Sequence, residues 1–390
     1  MRILMISKAC LVGAYQRKLE ELARLPDVDL TVIVPPSWRD ERGVQTLERA
    51  YTQGYRLVVQ PIAFNGQFHL HFYPGLGRWM RQIRPDIVHV DEEPYNLATV
   101  QAMALARRAG ARTLFFSWQN LNRRYPLPFR WFERAVLRWA NYAIVGNADA
   151  AEVWRAKGYR GPIRVIPQFG VDPEVFWPGP DSRQPGRGFI AGYVGRLVEE
   201  KGVDVLLRAA AEMPGIWRLV ILGDGPAKPG LMALARELGI ADRVSFDALI
   251  PSLRMPAYYR QLDALVLPSR SRPNWKEQFG RVLIEAMACG VPVIGSTCGE
   301  IPNVIGDAGL LFPEDDVAAL RQALLRLMRD EGLRAELAAR GRARVLAHYT
   351  QAQIAQQTWE VYRALMGWPP VAQSTGATAR SPAGSPTYGC

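Results

Sequence analysis

The chain of 390 residues has little cysteine and no long hydrophobic run. Its cysteines show neither CxxC spacing nor a paired framework, so we expect reduced thiols and neither a zinc site nor disulfides. They are Cys10, Cys289, Cys298 and Cys390. No window reaches about 18 uninterrupted apolar residues, and the first apolar run stops at Lys8, too early for a signal peptide. We therefore expect a cytoplasmic protein.

The net charge of +11 belongs almost entirely to the N-terminal half of the chain. Residues 1–170 hold 24 Lys and Arg against 14 Asp and Glu, a balance of +10, whereas residues 171–370 hold 23 of each. Arginines alternate with aromatic residues in 77–85 and 123–142, a mixture that suits an anionic membrane surface. We expect peripheral contact with the inner face of a membrane, the alternative being core aromatics beside solvated arginines. Nucleic acid is not an expected partner, because no recognition module accompanies the charge.

Short apolar runs alternate with helical patterns along the chain, which predicts parallel sheets covered by helices on both faces. A stretch rich in proline and glycine at 166–188 interrupts the alternation as a linker does, and the alternation then restarts. The fold class predicted is α/β, with two doubly wound, Rossmann-like domains facing one cleft. The predicted segments are an N-terminal domain (1–170), a linker (171–188), a C-terminal domain (189–349), a helix that crosses back to the N-terminal domain (350–368) and a disordered tail (369–390).

The stretch GYVGRLVEEKG, residues 192–202, follows a predicted strand, where ligands of open α/β sheets bind. Gly195 lets the backbone approach a ligand, while Arg196 and Lys201 supply two cations that suit a diphosphate. The alternative is an ordinary surface turn. Because the stretch is not GxGxxG, we expect no nicotinamide or flavin cofactor.

Two glutamates, Glu277 and Glu285, flank the apolar interval QFGRVLI. A helix starting near Phe279 would direct its free N–H groups and its dipole at a phosphate, with Glu285 about 9 Å along the axis. A nucleotide sugar places a sugar, a diphosphate and a ribose in line, so one carboxylate would accept hydrogen bonds from the sugar and the other from the ribose. Alternatively, Glu277 caps the helix and Glu285 pairs with Arg281 at i−4.

These segments, together with LVILGDGP and PQFGVDPEVFWP, resemble retaining GT-B glycosyltransferases, specifically glycosyltransferase family 4, over nearly the whole of residues 1–366. The resemblance implies a nucleotide-diphosphate-sugar donor held by the C-terminal domain, an acceptor bound mostly by the N-terminal domain, and retention of anomeric configuration. It also implies roles for the residues named above. Arg196 and Lys201 would neutralise the leaving diphosphate. Glu277 would contact the transferred sugar and support charge at its anomeric carbon, Glu285 would bind ribose, and the phosphates would meet the backbone at Gln278, Phe279 and Gly280.

The resemblance further implies no cofactor and no metal requirement. A leaving diphosphate needs positive charge, which either Mg²⁺ or the two cations of this chain can supply. The acidic triplet DVD at 27–29 matches the metal-binding triplet of other glycosyltransferases, but it precedes an N-terminal strand far from the donor motifs. We take that match as coincidental.

The chain departs from the family after the strand RTLFF, where many relatives carry a histidine and this sequence has SWQN, residues 117–120. Trp118 and Gln119 therefore become candidates for stacking on an acceptor sugar and for hydrogen bonding to it. None of the four histidines replaces the missing one. The general base is left open, and the acceptor proton could instead pass to the leaving phosphate.

Two further acceptor-side candidates come from the turns after the first and third predicted strands. Glu92 and Glu93, in DEEPYN, would bind acceptor hydroxyls or serve as base, the alternative being a solvated acidic turn that caps a helix at Asn96. Gly13 is the lone glycine of the N-terminal loop and would let the backbone approach donor or acceptor.

The sequence thus predicts a retaining, metal-independent hexosyltransferase that moves a sugar from a nucleotide-diphosphate-sugar to a glycan or lipid-linked acceptor in cell-envelope polysaccharide biosynthesis. Two alternatives stand beside it: a non-catalytic GT-B subunit that binds a partner transferase, and a nucleotide-sugar epimerase. The base and the sugar of the donor stay open at this point, because base recognition in this fold is largely through backbone.

Overall fold

A computed structural model describes residues 1–40, 43–180, 187–248, 250 and 254–369. Within these residues two parallel sheets form separate layers, and each sheet is covered by helices on both faces. This is the GT-B arrangement of two Rossmann-like domains predicted from the sequence. Part of the predicted linker, and the predicted disordered tail beyond Pro369, lie outside the described residues.

The strands of the first domain are β1 (Arg2–Ile6), β2 (Asp29–Val34), β3 (Ser37–Asp40), β4 (Gly43–Thr46), β5 (Arg56–Val59), β6 (Ile87–Val90), β7 (Arg112–Ser117), β8 (Tyr142–Val145) and β9 (Ile163–Val165). Seven of them form a sheet with the order β5-β2-β1-β6-β7-β8-β9, parallel throughout, while β3 and β4 form a separate antiparallel pair. The helices of this domain are α1 (Arg17–Ala23), α2 (Leu76–Ile83), α3 (Leu97–Arg108), α4 (Phe129–Trp139) and α5 (Ala148–Ala156). The central strands are largely apolar because both of their faces are buried.

The second domain has a sheet with the order β12-β11-β10-β13-β14-β15, also parallel. Its strands are β10 (Phe189–Val194), β11 (Trp217–Leu222), β12 (Val244–Asp247), β13 (Ala264–Leu267), β14 (Val293–Ser296) and β15 (Leu310–Phe312). The helices that follow are α6 (Val203–Ala211), α7 (Lys228–Glu237), α8 (Met255–Tyr259), α9 (Arg281–Ala288), α10 (Ile301–Ile305), α11 (Val317–Arg329), α12 (Glu331–His348) and α13 (Gln351–Met366).

The last helix, α13, packs on the first domain. Trp359 donates from Nε1 to the carbonyl of Pro26 at 3.1 Å, and the Tyr362 hydroxyl lies 2.7 Å from Nδ1 of His89. The chain passes between the domains twice, near Val171 and near Tyr349. The two crossings lie side by side, because Val171 donates its N–H to the Tyr349 carbonyl at 2.9 Å. His89 is fully buried in this contact, so its role is structural.

Helix α9 starts at Arg281, two residues after Phe279 and close to its predicted start, because Gly280 has φ of +80° and ψ of 54°, a left-handed conformation that cannot lie inside a helix. Phe279 instead packs its ring 5.8 Å from that of Trp118 in the first domain and 5.7 Å from that of Tyr349.

Candidate functional site

The turn after β10 lies close to the backbone of the turn after β11. Gly195 has φ of +154°, and the Tyr193 hydroxyl donates to the Arg196 carbonyl at 2.7 Å. A Cβ on Gly223, in the turn after β11, would lie only 1.9 Å from the Gly195 carbonyl oxygen. Side chains are therefore excluded where the two turns meet, and the Arg196 side chain extends, exposed, from this rim.

The turn continues into a short 3-10 helix (Glu199–Lys201), whose last residue reaches Glu277. The Nζ of Lys201 lies 2.5 Å from Oε2 of Glu277, and the Ser269 hydroxyl donates to the same oxygen at 2.8 Å. Glu277 is 7% exposed. A buried carboxylate needs a charged partner and hydrogen bonds, and these two groups provide them through one oxygen, leaving Oε1 outside both bonds.

In the part of the chain that the structure describes, five helices of the second domain, α6 to α10, begin without a side-chain cap, and two of them follow a left-handed glycine. Helices α6 and α9 start after Gly202 and Gly280, both left-handed and without a side chain to accept from the first N–H groups. Four other helices have such caps: α5, α11, α12 and α13, capped by Asn147, Asp316, Asp330 and Thr350. The free N–H groups and the positive dipole end of α6 and α9 can therefore accept a phosphate.

Glu285 lies one turn into α9 and is 8% exposed. Its Oε2 accepts from the Tyr259 hydroxyl at 2.6 Å, and its Oε1 lies 2.9 Å from Nε of Arg281. The i−4 pair with Arg281 considered from the sequence is thus present. A carboxylate has about four acceptor sites, so these bonds leave room for ribose hydroxyls.

First-domain side chains hold the loop that carries Glu277. Asn147 donates to the Gln278 carbonyl at 2.8 Å, and Gln278 donates to the Trp118 carbonyl at 3.1 Å. Asn120 approaches the Glu277 carbonyl at 3.4 Å, and Arg123 donates to that of Asn274. The position of the loop therefore depends on how the domains close.

On the first-domain side, Glu93 and Trp118 form one unit. The carboxylate of Glu93 accepts from the Ser117 hydroxyl at 2.6 Å and from the Trp118 N–H at 2.8 Å. Burial raises the pKa of Glu93 to about 7, although these hydrogen bonds oppose the rise. Glu93 can therefore exchange a proton near neutral pH.

Gln119, which follows Trp118, is buried, with its Oε1 unpaired among the described residues.

Glu92 behaves differently from its neighbour. Burial alone would raise its pKa, but Lys8, whose Nζ is 3.4 Å away, and His71 lower the pKa to about 2. Glu92 is thus ionised. The alternative of a solvated acidic turn does not describe Glu92, which is 6% exposed, and Asn96 precedes α3 without a side-chain cap bond.

The structure places Gly13 at the start of a 3-10 turn, with its N–H donating to Oε2 of Glu48 at 2.7 Å. A ligand that met this N–H would have to displace Glu48. A Cβ on Gly13 would lie 2.8 Å from the same oxygen, which accounts for the glycine.

The sequence prediction missed several polar groups at the site, among them Ser269, Tyr259, Asn120 and Asn147. Ser269 comes two residues after β13, so the rule that ligands meet strand ends could have found it. The other three are ordinary residues whose partners lie far along the chain, and no local pattern marks them. Among the described residues no group of three or more His, Cys, Asp or Glu side chains could hold a metal ion.

Comparison with known proteins matches both domains. The family described as Glycosyltransferase Family 4 matches residues 17–175, and that described as Glycosyl transferases group 1 matches residues 180–344. The chain is 30% identical to GDP-mannose-dependent alpha-(1-6)-phosphatidylinositol monomannoside mannosyltransferase of Mycolicibacterium smegmatis, covering 85% of this chain and 89% of that protein. It is 39% identical over 196 residues to D-inositol 3-phosphate glycosyltransferase of Acidothermus cellulolyticus, where the match spans 45% of this chain and 42% of the relative.

Solved structures share the fold. Sucrose-phosphate synthase from Thermosynechococcus elongatus superposes with a TM-score of 0.72 at 22% identity, covering 94% of this chain and 99% of that one. HepE from Anabaena, solved in complex with UDP, gives 0.71 at 18% identity, covering 93% and 100%. With the near full-length match to the mannosyltransferase and both family matches, the chain belongs to glycosyltransferase family 4.

Proposed function

We propose that the protein transfers a sugar from a nucleotide-diphosphate-sugar to a hydroxyl group of a glycan or lipid-linked acceptor, with retention of anomeric configuration, for a cell-envelope polysaccharide. The observation that carries the proposal is the Lys201–Glu277–Ser269 cluster beside the uncapped helices α6 and α9. It joins a cation, a buried carboxylate and two anion-binding helix ends.

In this proposal the diphosphate lies against the N-termini of α6 and α9, near the backbone of Gln278 to Gly280. Arg196, exposed at the rim, and Lys201 stabilise the charge that collects on the leaving diphosphate, so no metal is needed. Glu285 accepts hydrogen bonds from the ribose. Gly195 lets the backbone approach the phosphates closely.

The transfer breaks the bond between the anomeric carbon and the diphosphate oxygen, which keeps the electron pair. The acceptor oxygen attacks the same face of the sugar, and its proton passes to the leaving phosphate oxygen. Glu277 contacts the sugar hydroxyls and, as a carboxylate, stabilises the positive charge at the anomeric carbon. Trp118, Gln119 and the two carboxyl groups of Glu92 and Glu93 bind the acceptor from the first domain.

We also propose peripheral contact with an anionic membrane through the surface formed by α4 and the segment before it, here called the arginine face. Its exposed members are Arg124, Arg130, Arg134 and Arg138, with Leu127 and Trp131. Trp131 is 59% exposed, so it is not a core residue. Over the described residues no helix has the length and apolar character needed to cross a bilayer.

The test of the donor site is ligand-induced thermal stabilisation of the EDTA-treated protein with UDP-, GDP-, ADP- and TDP-sugars. One donor at about 100 times its dissociation constant should add roughly 2.7 kcal/mol to the free energy of unfolding. Lys201→Ala and Glu285→Ala should abolish the effect. Arg321→Ala is the matched control, because it breaks another cation–glutamate pair of the second domain, with Glu212 at 2.5 Å.

The same experiment separates the alternatives. If no donor stabilises a folded protein, the donor site is wrong and a non-catalytic subunit is favoured. If a donor binds and is converted without acceptor to an epimer, the epimerase is favoured. Product formed with acceptor in the presence of EDTA, with its anomeric configuration assigned by NMR, would support metal-independent transfer with retention.

A further inference from the structure

Several buried polar atoms beside the acceptor side of the cleft have no hydrogen-bond partner among the described residues. They are Nζ of Lys8, Nε2 of His71, Oε1 of Glu92 and both amide atoms of Asn96. His71 and Asn96 are fully buried, and Glu92 is 6% exposed. Unpaired buried polar groups are rare in native proteins, so such a cluster indicates a group that the protein alone does not supply.

The distances between these atoms fit a bridging hydroxyl. Nζ of Lys8 lies 3.4 Å from one carboxylate oxygen of Glu92, and Nε2 of His71 lies 3.7 Å from the other. The second separation is too long for a direct hydrogen bond. A hydroxyl group can donate to the carboxylate and accept from the cation, which satisfies both partners.

An apolar wall lies beside the cluster. The ammonium of Lys8 lies 4.0 Å from the centre of the Trp38 ring and 4.4 Å from that of Phe68. Phe68 is 42% exposed, so the cluster has a ring edge at the surface. Aromatic walls with a few convergent polar groups are typical of small-ligand sites.

The cluster adjoins the proposed reaction site. Glu92 precedes Glu93, which binds Trp118, and the Trp118 ring contacts Phe279 beside the donor loop. A ligand bound at Glu92 would therefore belong to the acceptor.

The charges disfavour a phosphate. Lys8 already faces the ionised Glu92, and Lys18 donates to the Gln168 carbonyl at 2.8 Å near Asp91. Glu93 adds a third carboxyl group to the same turn. A phosphate dianion at Lys8 would meet the ionised Glu92 at close range, and like-charge contact of this kind is strongly unfavourable.

We propose that the cluster of Lys8, His71, Glu92 and Asn96 binds hydroxyl groups of an uncharged sugar or polyol unit of the acceptor and rejects a phosphorylated one. The inference rests on the proposed function and names the acceptor class of the same site. The name of the D-inositol 3-phosphate glycosyltransferase relative would instead suggest a phosphorylated acceptor for this chain.

The test measures binding by saturation-transfer NMR to the full-length protein, with three matched probe pairs: inositol and inositol 3-phosphate, mannose and mannose 6-phosphate, and glucose and glucose 6-phosphate. At least one neutral probe should bind about tenfold or more tightly than its phosphate. Glu92→Gln should remove most of that preference, and Lys8→Met should weaken the neutral probe. Asp86→Asn, which alters an acidic residue just before β6, at the end of that strand opposite Glu92, should change neither.

Two outcomes would overturn the inference. In one, a phosphorylated probe binds more tightly than its parent. In the other, no neutral probe binds, which would mean that the cluster holds water only. The donor-induced stabilisation described above is measured on the same sample: if it persists, only the acceptor class is wrong, and if it is absent, the proposed function itself fails.

Discussion

The second domain presents to the cleft polar groups that are hydrogen-bonded to one another, and the first domain presents, beside the bonded Glu93, buried polar atoms that have no hydrogen bond among the described residues. Glu277 has Lys201 and Ser269, and Glu285 has Tyr259 and Arg281. Across the cleft, Lys8, His71 and Asn96 have unpaired atoms. A paired site is preorganised before its ligand arrives, whereas an unpaired site is completed by it.

The domains also differ in charge. The first carries a balance of +10 over residues 1–170, and the second is neutral over residues 171–370. Exposed arginines of the first domain include those along α4, whereas the first-domain turn at the cleft is acidic. The arginines of α4 are therefore suited to a surface partner, while the cations proposed to serve the donor come from the second domain.

The largest effect is expected where one domain positions the other. Asn147 both caps α5, by accepting from the Ala150 N–H at 2.8 Å, and donates to the Gln278 carbonyl. Asn147→Ser keeps a capping oxygen but loses the reach to the second domain. We expect kcat to fall between about 10- and 100-fold, because the loop that carries Glu277 is no longer held in place. KM for the donor should change little, since none of the groups proposed to bind the donor is removed.

A matched pair of variants separates positioning from stability. Asn147→Ala loses the cap as well, and should lower the free energy of unfolding by about 1 kcal/mol relative to Asn147→Ser. Asp330→Ala removes the cap of α12, beyond the C-terminal end of α11, and should lower stability with kcat intact. If Asn147→Ser turns over like the unaltered protein, the donor loop does not need the first domain.

A strand or helix could be predicted where burial of a face leaves a pattern of apolar residues in the sequence. Strands β1 and β10, buried on both sides, appear as apolar runs, but β9 and β15 have three residues each and leave no pattern. The start of α9 could be predicted only to within two residues, because an apolar stripe continues through Phe279, while the left-handed Gly280 keeps that residue out of the helix. Local sequence reports burial more reliably than it reports helix ends.

The site was predictable only residue by residue. Motifs indicated Lys201 and Glu277 separately, but the bond between them joins positions 76 residues apart, and only the folded sheet brings them together. The contact of Asn147 with Gln278 spans 131 residues and depends on domain closure. The unpaired atoms near Glu92 are a property of packing, which no spacing in the sequence records.

The second prediction concerns pH and the acceptor side. Because the pKa of Glu93 is about 7 in the folded protein and near 4.5 in the unfolded chain, the folded state holds a proton that the unfolded state releases between these values. Glu93 thus stabilises the fold less as pH rises from 5 to 7.5. Relative to Glu93→Gln, the free energy of unfolding should fall on the order of 1 to 2 kcal/mol across that range.

The comparison with Glu93→Gln is essential because other groups titrate in the same range with the opposite sign. Burial lowers the pKa of His89 well below its usual value, so His89 favours the folded state more as pH rises. Glu92 is ionised throughout, and its contribution is lost only at more acidic pH. Parallel denaturant titrations of both proteins isolate Glu93, and a constant difference between them would show that its carboxyl titrates as an ordinary glutamate.

The smallest effect is expected at the arginine face, where the two domains differ in their outer surfaces. Sedimentation with vesicles of phosphatidylglycerol and phosphatidylcholine should show binding that is lost in vesicles of phosphatidylcholine alone. Each basic residue near an anionic surface contributes about 1 kcal/mol, so Arg134→Gln should weaken binding roughly fivefold, and Trp131→Ser should weaken it by a similar or smaller factor. The matched control is Ile216→Ser, since Ile216 is 71% exposed on the neutral second domain and should contribute nothing. Equal binding by the Trp131 and Ile216 variants would place the membrane contact elsewhere. Binding that is insensitive to phosphatidylglycerol would mean that the basic charge of the first domain does not mediate membrane contact.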